Sequence, residues 1–114
     1  MWNVESSDEY DNWFLSLDDQ AKEAVLERVY LLQEFGPELG RPFADTLKGS
    51  RLYSNMKELR CHTRWHELRV SYYFDPNRNA YLLTGGDKKG INEIKFYKKL
   101  IGDSETIIEK HERD

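Results

Sequence analysis

A strict alternation of apolar and polar residues over His66–Phe74 constrains the fold of this chain more than any other feature. A period of two over this length is typical of a half-buried strand, with one face on a hydrophobic core and the other available to solvent or ligand. The apolar face carries Leu68, Val70, Tyr72 and Phe74, and the available face carries Glu67, Arg69, Ser71 and Tyr73.

Two further strands flank this one. In the preceding run Leu59 faces inward, whereas Glu58 and Arg60 face outward. The turn-forming segment 75–79 predicts a hairpin that returns the chain into a third strand over Ala80–Thr84. The available face then carries Arg60, Arg69 and Tyr73, with Lys88 and Lys89 at its rim. A cationic surface that includes a phenol suits a phosphodiester ligand.

The charge of the chain is segregated, although its formal net charge is only −4. Residues 1–46 hold 3 Lys/Arg against 11 Asp/Glu, residues 47–101 hold 12 against 5, and residues 102–114 hold 2 against 5. Because binding responds to the local field, a basic patch on an acidic body is compatible with RNA or DNA. The same charges are also compatible with two ordinary solvated faces.

The length of 114 residues predicts a single domain spanning 1–114. One cysteine, Cys61, excludes a disulfide framework and fits a reducing compartment. The first ten residues do not resemble a signal peptide, and no apolar run approaches the roughly 20 residues of a membrane span. We therefore expect a cytoplasmic protein without a membrane partner.

The segments before the strands predict two helices. Ser6 and Glu9 have the spacing of a capping box, and an aromatic stripe follows them. A second helix opens after Ser16, at Asp18 and Asp19, and Gly36-Pro37 ends it. Its inner stripe consists of Ala21, Val25, Val29 and Leu32.

The ends of the chain complete the predicted fold. Alternation in Met1–Glu5 predicts a short first strand, and 38–50 reads as a connector anchored by Phe43 and Leu47. After the strands, Asn92 can cap a last helix, Gly102 can break it, and Ser104 can restart it. The inner stripe of that helix is predicted to be Ile94, Tyr97 and Ile101. The fold class is α+β: an N-terminal helical hairpin and a C-terminal helix packed on one face of a small antiparallel sheet.

Three blocks, KELR, then RV-x-Y-x-FDP, then LLTGGDK, occur in this order and spacing, followed by FYKK. The pattern resembles the HigB-like branch of the RelE/ParE superfamily, the toxins of type II toxin–antitoxin modules. The resemblance implies a compact RelE-type sheet and metal-independent cleavage of mRNA on the translating ribosome, without a cofactor. It also implies neutralisation by a helix-turn-helix, HigA-like antitoxin, and it allows a higher-order toxin–antitoxin complex.

The resemblance also implies roles for individual residues. Arg69 lies where the strand arginine of the family contacts the scissile phosphate, and Arg60 matches the basic residue that closes the second strand. Lys88 and Lys89 take the place of a basic pair after the last strand. Tyr97, rather than Phe96, matches an aromatic position at which RelE has a catalytic tyrosine. The two strand lysines of RelE are replaced by Met56 and Glu58, with only Lys57 nearby, so the general base stays open.

The chemistry of the residues adds further candidates. Arginine stabilises charge on phosphate oxygens through its planar fork, although Arg69 can instead pair with Glu67 or Glu58. His62 and His66 bracket the turn between two strands and can serve as acid or base, or as exposed loop residues. Trp65 and Tyr73 can stack on an unpaired base or pack internally. Cys61 lies on the buried side, and no ligand spacing indicates a metal site.

Two other functions remain open from the sequence. A ParE-like protein with the same fold would inhibit DNA gyrase without catalysis. A degenerate prophage remnant would bind only its antitoxin.

Overall fold

The computed structural model describes residues 1–113, which form three helices and a five-stranded sheet. The strands are β1 (Val4–Ser6), β2 (Ala44–Thr46), β3 (Lys57–His62), β4 (Glu67–Phe74) and β5 (Ala80–Asp87). The helices are α1 (Asp8–Leu15), α2 (Asp19–Phe35) and α3 (Glu93–Arg113), and a 3₁₀ turn at Gly36–Glu38 follows α2.

The sheet has the strand order β1-β5-β4-β3-β2. The hairpins β3–β4 and β4–β5 are antiparallel, as the alternation and the turn residues predict. At one edge β1 pairs with β5 in parallel, and at the other edge the short β2 pairs with β3. The connector predicted over 38–50 therefore contains an edge strand. The α+β class, the helical hairpin and the C-terminal helix are confirmed.

The prediction that all helices share one face of the sheet is wrong. Helices α1 and α2 cover one face, where Val25, Leu32, Leu59 and Val70 belong to one hydrophobic core. Helix α3 covers the opposite face and forms a second core with Met56, Tyr73, Leu83, Leu100 and Ile108, among others. Alternation distinguishes the two faces of a strand, but it does not tell whether the more polar face is covered by another element.

The start of the helical hairpin differs from the prediction by one residue. Ser7, not Ser6, caps α1, and its hydroxyl accepts a hydrogen bond of 2.9 Å from the Tyr10 amide. Ser6 is still in register with Leu82 of β5, so it belongs to the strand. Asp18 caps α2, and Gly36 ends it with a positive φ of 55° and an amide that donates to the Leu32 carbonyl.

Helix α3 runs without a break through Gly102, so the predicted interruption is wrong. Its buried residues are Phe96, Leu100, Ser104, Ile107 and Ile108, not the predicted stripe of Ile94, Tyr97 and Ile101. Ser104 does not restart a helix; its hydroxyl lies 2.6 Å from Ser71 Oγ of β4, which satisfies a buried polar group. No helix within residues 1–113 has the length and apolarity needed to cross a membrane.

Candidate active site

Glu58, Arg69 and Tyr97 converge on the sheet face that α3 covers, each supplied by a different element. The Tyr97 hydroxyl donates a hydrogen bond of 2.9 Å to Glu58 Oε1 and accepts one of 3.2 Å from Arg69 Nε. Arg69 Nε lies 3.7 Å from the same carboxylate oxygen. A phenol is therefore held between a carboxylate and a guanidinium, in one hydrogen-bonded unit that we call the Glu58–Tyr97–Arg69 cluster.

Arg69 is deeply placed in this cluster, with only 7% of the residue exposed. One of its terminal nitrogens, Nη1, donates to the Leu68 carbonyl at 2.9 Å and lies 3.7 Å from Glu67 Oε2. Both ion pairs that the sequence offers as an alternative to phosphate binding, with Glu58 and with Glu67, are thus present. They fix the orientation of the guanidinium, which carries five N–H donors in all.

Arg60 extends the cluster toward the sheet edge. Its Nε donates to Glu58 Oε2 at 3.2 Å, and its Nη2 lies 3.3 Å from Asp45 Oδ2 on β2. Arg41 reaches the same Asp45 oxygen at 2.8 Å. The hydrogen bond from Arg41 lowers the pKa of Asp45, so this carboxylate stays ionised at neutral pH. The edge strand that the sequence did not predict therefore contributes directly to the site.

The environment of Tyr97 keeps its hydroxyl protonated. Burial raises the pKa of this phenol, and the nearby negative charge of Glu58 raises it further. At neutral pH Tyr97 is consequently a hydrogen-bond donor that can pass its proton to Glu58 while taking another from a bound hydroxyl group.

Glu58 and Tyr97 of the cluster line a groove of about 410 Å³ between β2 and α3, which we call the site groove, whereas the buried Arg69 lies outside its lining. Its lining comprises Arg41, Asp45, Thr46, Leu47, Lys48, Glu58, Arg60, Glu93 and Tyr97. A ligand in this groove would therefore meet three cations and three carboxylates, beside Tyr97.

The two lysines after β5 take separate positions. Lys88 Nζ lies 5.9 Å from the centre of the Tyr97 ring and 2.8 Å from Glu93 Oε1, at the rim of the cluster. Lys89 Nζ donates instead to the Arg64 carbonyl at 3.3 Å and lies 5.9 Å from the Trp65 ring. Trp65 is 59% exposed, with the Arg64 guanidinium 4.9 Å from its ring. Lys89 and Trp65 thus form a second cationic and aromatic surface at the β3–β4 turn.

The placement of Tyr73 excludes its predicted role as a base-stacking residue. It is 1% exposed, packs in the core under α3, and donates a hydrogen bond of 2.8 Å to Glu112. The face on which the alternation places it is the face that α3 covers.

Two other candidates lie apart from the cluster. His62 is exposed and lines a shallow depression with Gln20 and Glu23 of α2. Lys57 opens β3 opposite Tyr72 and does not line the site groove. Phe96 is buried in the α3 core, which leaves Tyr97 as the aromatic residue of this helix in the site.

His66, in the β3–β4 turn, is linked by two hydrogen bonds to the end of β5 and to the start of α2, an arrangement that we call the His66 clasp. Its Nδ1 lies 2.6 Å from Asp87 Oδ2 at the end of β5, and its Nε2 lies 2.8 Å from Asp18 Oδ2 at the cap of α2. The hydrogen bond to Asp87 raises the pKa of His66, and the one to Asp18 adds to this effect. Both ring nitrogens are occupied, so His66 fastens the fold and is not available as a base.

Cys61 is not a nucleophile. It is buried on the α2 side, and this burial raises the pKa of its thiol to about 12. Residues 1–113 contain no group of three or more His, Cys, Asp or Glu side chains placed to hold a metal ion.

The sequence alone did not single out Glu58 as a candidate site residue. It offers this position as a partner for Arg69 and as a departure from the strand lysines of RelE. One signal was available, since Glu58 alternates with Arg60 on the same strand face as the other candidates. Its contact with Tyr97, 39 residues away, comes from the packing of α3 on the sheet.

The sequence matches a known protein family, and two proteins with similar sequences are named as toxins. The family profile of the phage-derived protein Gp49-like (DUF891) matches residues 12–108. "Putative toxin HigB2" of Mycobacterium tuberculosis is 37% identical over 100 residues, which are 87% of this chain and 49% of that protein. "Putative toxin HigB3" of the same organism is 42% identical over 80 residues, 70% of this chain and 68% of that protein. The chain thus spans about half the length of the first relative and about two thirds of the second.

Solved structures agree with the fold. The isolated Escherichia coli RelE toxin superposes with a TM-score of 0.61 at 11% identity, covering 90% of this chain and 97% of that one. An archaeal RelE–RelB complex from Pyrococcus horikoshii gives a TM-score of 0.55 at 19% identity, covering 78% and 97% of the two chains. At these identities the likeness shows a RelE-like fold.

Proposed function

Because this chain belongs to the phage-derived Gp49-like family, we propose that it is the toxin of a type II toxin–antitoxin system and inhibits translation by cutting mRNA on the ribosome. Its relatives with the names HigB2 and HigB3 support the toxin assignment. The resemblance to HigB-like proteins, on which the expectation of RNA cleavage first rested, is confirmed at the level of the family.

The Glu58–Tyr97–Arg69 cluster is the observation that carries the catalytic part of the proposal. RNA is cut when its 2′-hydroxyl attacks the adjacent phosphorus, which requires a proton acceptor, stabilisation of the phosphate charge and a proton donor. The cluster supplies a carboxylate, a protonated phenol and a buried guanidinium within 3.7 Å of one another. A protein that only binds gyrase or an antitoxin has no need for this combination.

The residues take the following roles in the proposed reaction. The 2′-hydroxyl gives its proton to the Tyr97 oxygen as Tyr97 passes its own proton to Glu58. The new bond joins the 2′-oxygen to phosphorus, and Arg69 and Arg60 stabilise the added negative charge. The bond to the 5′-oxygen then breaks, and Lys88 protonates this leaving group. The products are a 2′,3′-cyclic phosphate and a 5′-hydroxyl end, so neither a metal nor a water molecule takes part in the bond changes.

The proposed toxin has two kinds of partner, an antitoxin and the translating ribosome with its mRNA. A structural neighbour was solved as a complex of RelE with RelB, which supports an antitoxin as the binding partner of this chain. The HigB-like pattern favours an antitoxin of the helix-turn-helix type. Action on translating ribosomes would place the protein in the cytoplasm, and Trp65 with Lys89 offers RNA a second, exposed surface at the β3–β4 turn.

Mapping transcript 5′ ends after brief induction tests the proposal. We expect new 5′-hydroxyl ends in phase with codons, reproduced by purified protein and ribosomes after the protein has been stripped of metal, with magnesium retained for the ribosome. Arg69→Lys should cut at least about 100-fold more slowly, by analogy with the loss of an oxyanion-hole donor. Arg78→Lys in the exposed β4–β5 turn is the matched control.

Three results would contradict the proposal. They are an absence of new 5′ ends, a loss of cleavage that only a transition metal restores, and full activity in the Arg69→Lys protein. Inhibition of gyrase supercoiling without ribosome association would favour the ParE-like alternative instead.

A further inference from the structure

A second groove lies beside the site groove, between α3 and the segment that joins β2 to β3. Its volume is about 890 Å³, within the range of about 300–1,000 Å³ that is usual for ligand sites. We call it the loop–helix groove, and its lining comprises Lys48, Gly49, Arg51, Leu52, Glu93, Ile94, Tyr97, Lys98, Ile101, Gly102 and Glu105. The catalytic roles proposed above do not use most of these residues.

The two grooves adjoin at the candidate active site. Lys48, Glu93 and Tyr97 line both of them, so the loop–helix groove begins at residues that also line the site groove. An extended chain bound across the Glu58–Tyr97–Arg69 cluster would therefore continue into the loop–helix groove.

The joining segment is held in a defined position against α3. Ser50 Oγ donates to Glu105 Oε2 at 2.6 Å and accepts from the amides of Leu52 and Tyr53 at 3.2 and 3.0 Å. Gly49 adopts a φ of +117°, and a Cβ there would lie 3.2 Å from Ile101. These contacts bring the backbone close to the helix and fix the shape of the groove.

The walls of the groove combine apolar surface with cations. Ile94 is 82% exposed and Leu52 is 67% exposed, so both side chains lie largely in solvent. Lys48, Arg51 and Lys98 form no ion pair within residues 1–113, whereas Arg60, Arg69 and Lys88 of the candidate active site are all paired. Of the two acidic residues, Glu93 is paired with Lys88, and Glu105 holds Ser50.

We propose that the loop–helix groove binds the single-stranded RNA next to the cleaved bond, with Lys48, Arg51 and Lys98 on its phosphates and Leu52 and Ile94 against its bases. This inference rests on the proposed function, since it concerns the same RNA. Unpaired bases have apolar faces and an anionic backbone, which are complementary to exposed apolar side chains beside free cations. The lining that the two grooves share favours the RNA of the proposed reaction, over an unrelated protein, as the occupant.

Binding of a non-cleavable RNA tests the groove separately from catalysis. The probe is a fluorescein-labelled, single-stranded, fully 2′-O-methylated RNA of mixed sequence, measured by anisotropy across a salt series. Lys48→Gln with Lys98→Gln should flatten the slope of log affinity against log salt by about 1.4, or about 0.7 for each phosphate that is no longer neutralised. Leu52→Ser with Ile94→Ser should weaken binding about fivefold with an unchanged slope. Lys22→Gln, at a half-buried position of α2, and Leu26→Ser, at an exposed one, are the controls and should bind as the wild type does.

The outcomes separate this proposal from the catalytic one. Wild-type protein that fails to bind the probe, or groove variants that bind it as the wild type does, would overturn the groove assignment even if mRNA is cut. Groove-dependent binding without cleavage would support the groove and contradict the endonuclease. Groove variants that lose only the antitoxin complex would assign the groove to a protein partner and also overturn the proposal.

Discussion

The Tyr97 hydroxyl and the Glu58 carboxylate are joined by a hydrogen bond of 2.9 Å that links α3 to β3 across the face of the sheet. The residues lie 39 positions apart in the chain. This bond forms only if α3 docks on the more polar face of β3 and β4. The packing that buries the second hydrophobic core therefore also assembles the Glu58–Tyr97–Arg69 cluster.

Tyr97→Phe removes the proposed proton relay and retains the aromatic ring. We expect cleavage of mRNA on ribosomes to slow by about 10²- to 10⁴-fold, the usual contribution of a positioned acid or base. Single-turnover cleavage measures this effect. Tyr30→Phe, on the exposed side of α2, should cut at the wild-type rate. Equal rates for the wild type and Tyr97→Phe would remove Tyr97 from the mechanism.

Glu58→Gln keeps the shape of the side chain and removes its charge. Cleavage should again fall by about 10²-fold or more, because the relay loses its final proton acceptor. Glu67→Gln is the matched control, since Glu67 also lies 3.7 Å from Arg69 but is about half exposed. Comparing single-turnover rates and circular dichroism for the two proteins separates chemistry from folding. An equal loss of rate in both variants would show that cleavage depends on the total negative charge near Arg69 and not on proton transfer to Glu58.

Gly102→Ala should stabilise the protein by about 1 kcal/mol, the usual helical preference for alanine over glycine. Gly102 lies inside the continuous α3, and apart from the adjacent residues and the nearby helix backbone no atom lies within 4 Å of the position of a Cβ there. Gly85→Ala should instead destabilise it by about 1–3 kcal/mol, since its Cβ would lie 2.5 Å from the Trp13 ring. Urea unfolding measures both changes. A destabilised Gly102→Ala protein would indicate that α3 is broken at this position.

The His66 clasp predicts a pH-dependent difference in stability between the wild type and His66→Gln. The pKa of His66 is raised in the folded protein, so its contribution is complete below the pKa of the unfolded histidine and is lost as pH rises through the folded value. The lowered pKa values of Asp18 and Asp87 work in the opposite sense, since their contribution is lost as pH falls through the acidic range. The pH-dependent part of the difference should therefore be largest in mildly acidic solution and be lost at alkaline pH, where only a pH-independent hydrogen-bonding part is left.

Urea unfolding across a pH series tests this, with His62→Gln as the control. His62 is exposed and its side chain forms no hydrogen bond or ion pair within residues 1–113, so His62→Gln removes a histidine without breaking the clasp and should not reproduce the difference expected for His66→Gln. A difference for His66→Gln that is the same at every pH would show that the clasp acts only through hydrogen bonding.

The sequence alone determined those features whose causes lie within a few residues of one another. The alternation over His66–Phe74 specified β4, the turn residues at 75–79 specified its return into β5, and Gly36 specified the end of α2. These signals depend on backbone preferences and on a period of two, both of which are visible locally. The alternation placed Arg69 on the available face, the family resemblance pointed to Tyr97, and the structure brings the two side chains into hydrogen-bond contact.

Only the tertiary structure decided what covers each face. A polar face under α3 and a polar face in water have the same alternation, so Tyr73 was predicted to be accessible and is buried. Ser104 and Gly102 read as a helix break because their local preferences are weak, but the bond between Ser104 and Ser71 and the apolar contacts of Leu100 and Ile108 outweigh those preferences. Glu58 became a candidate site residue in the same way. Its neighbours in the chain did not distinguish it from an ordinary surface carboxylate, and a hydroxyl supplied by a distant helix made it part of the site.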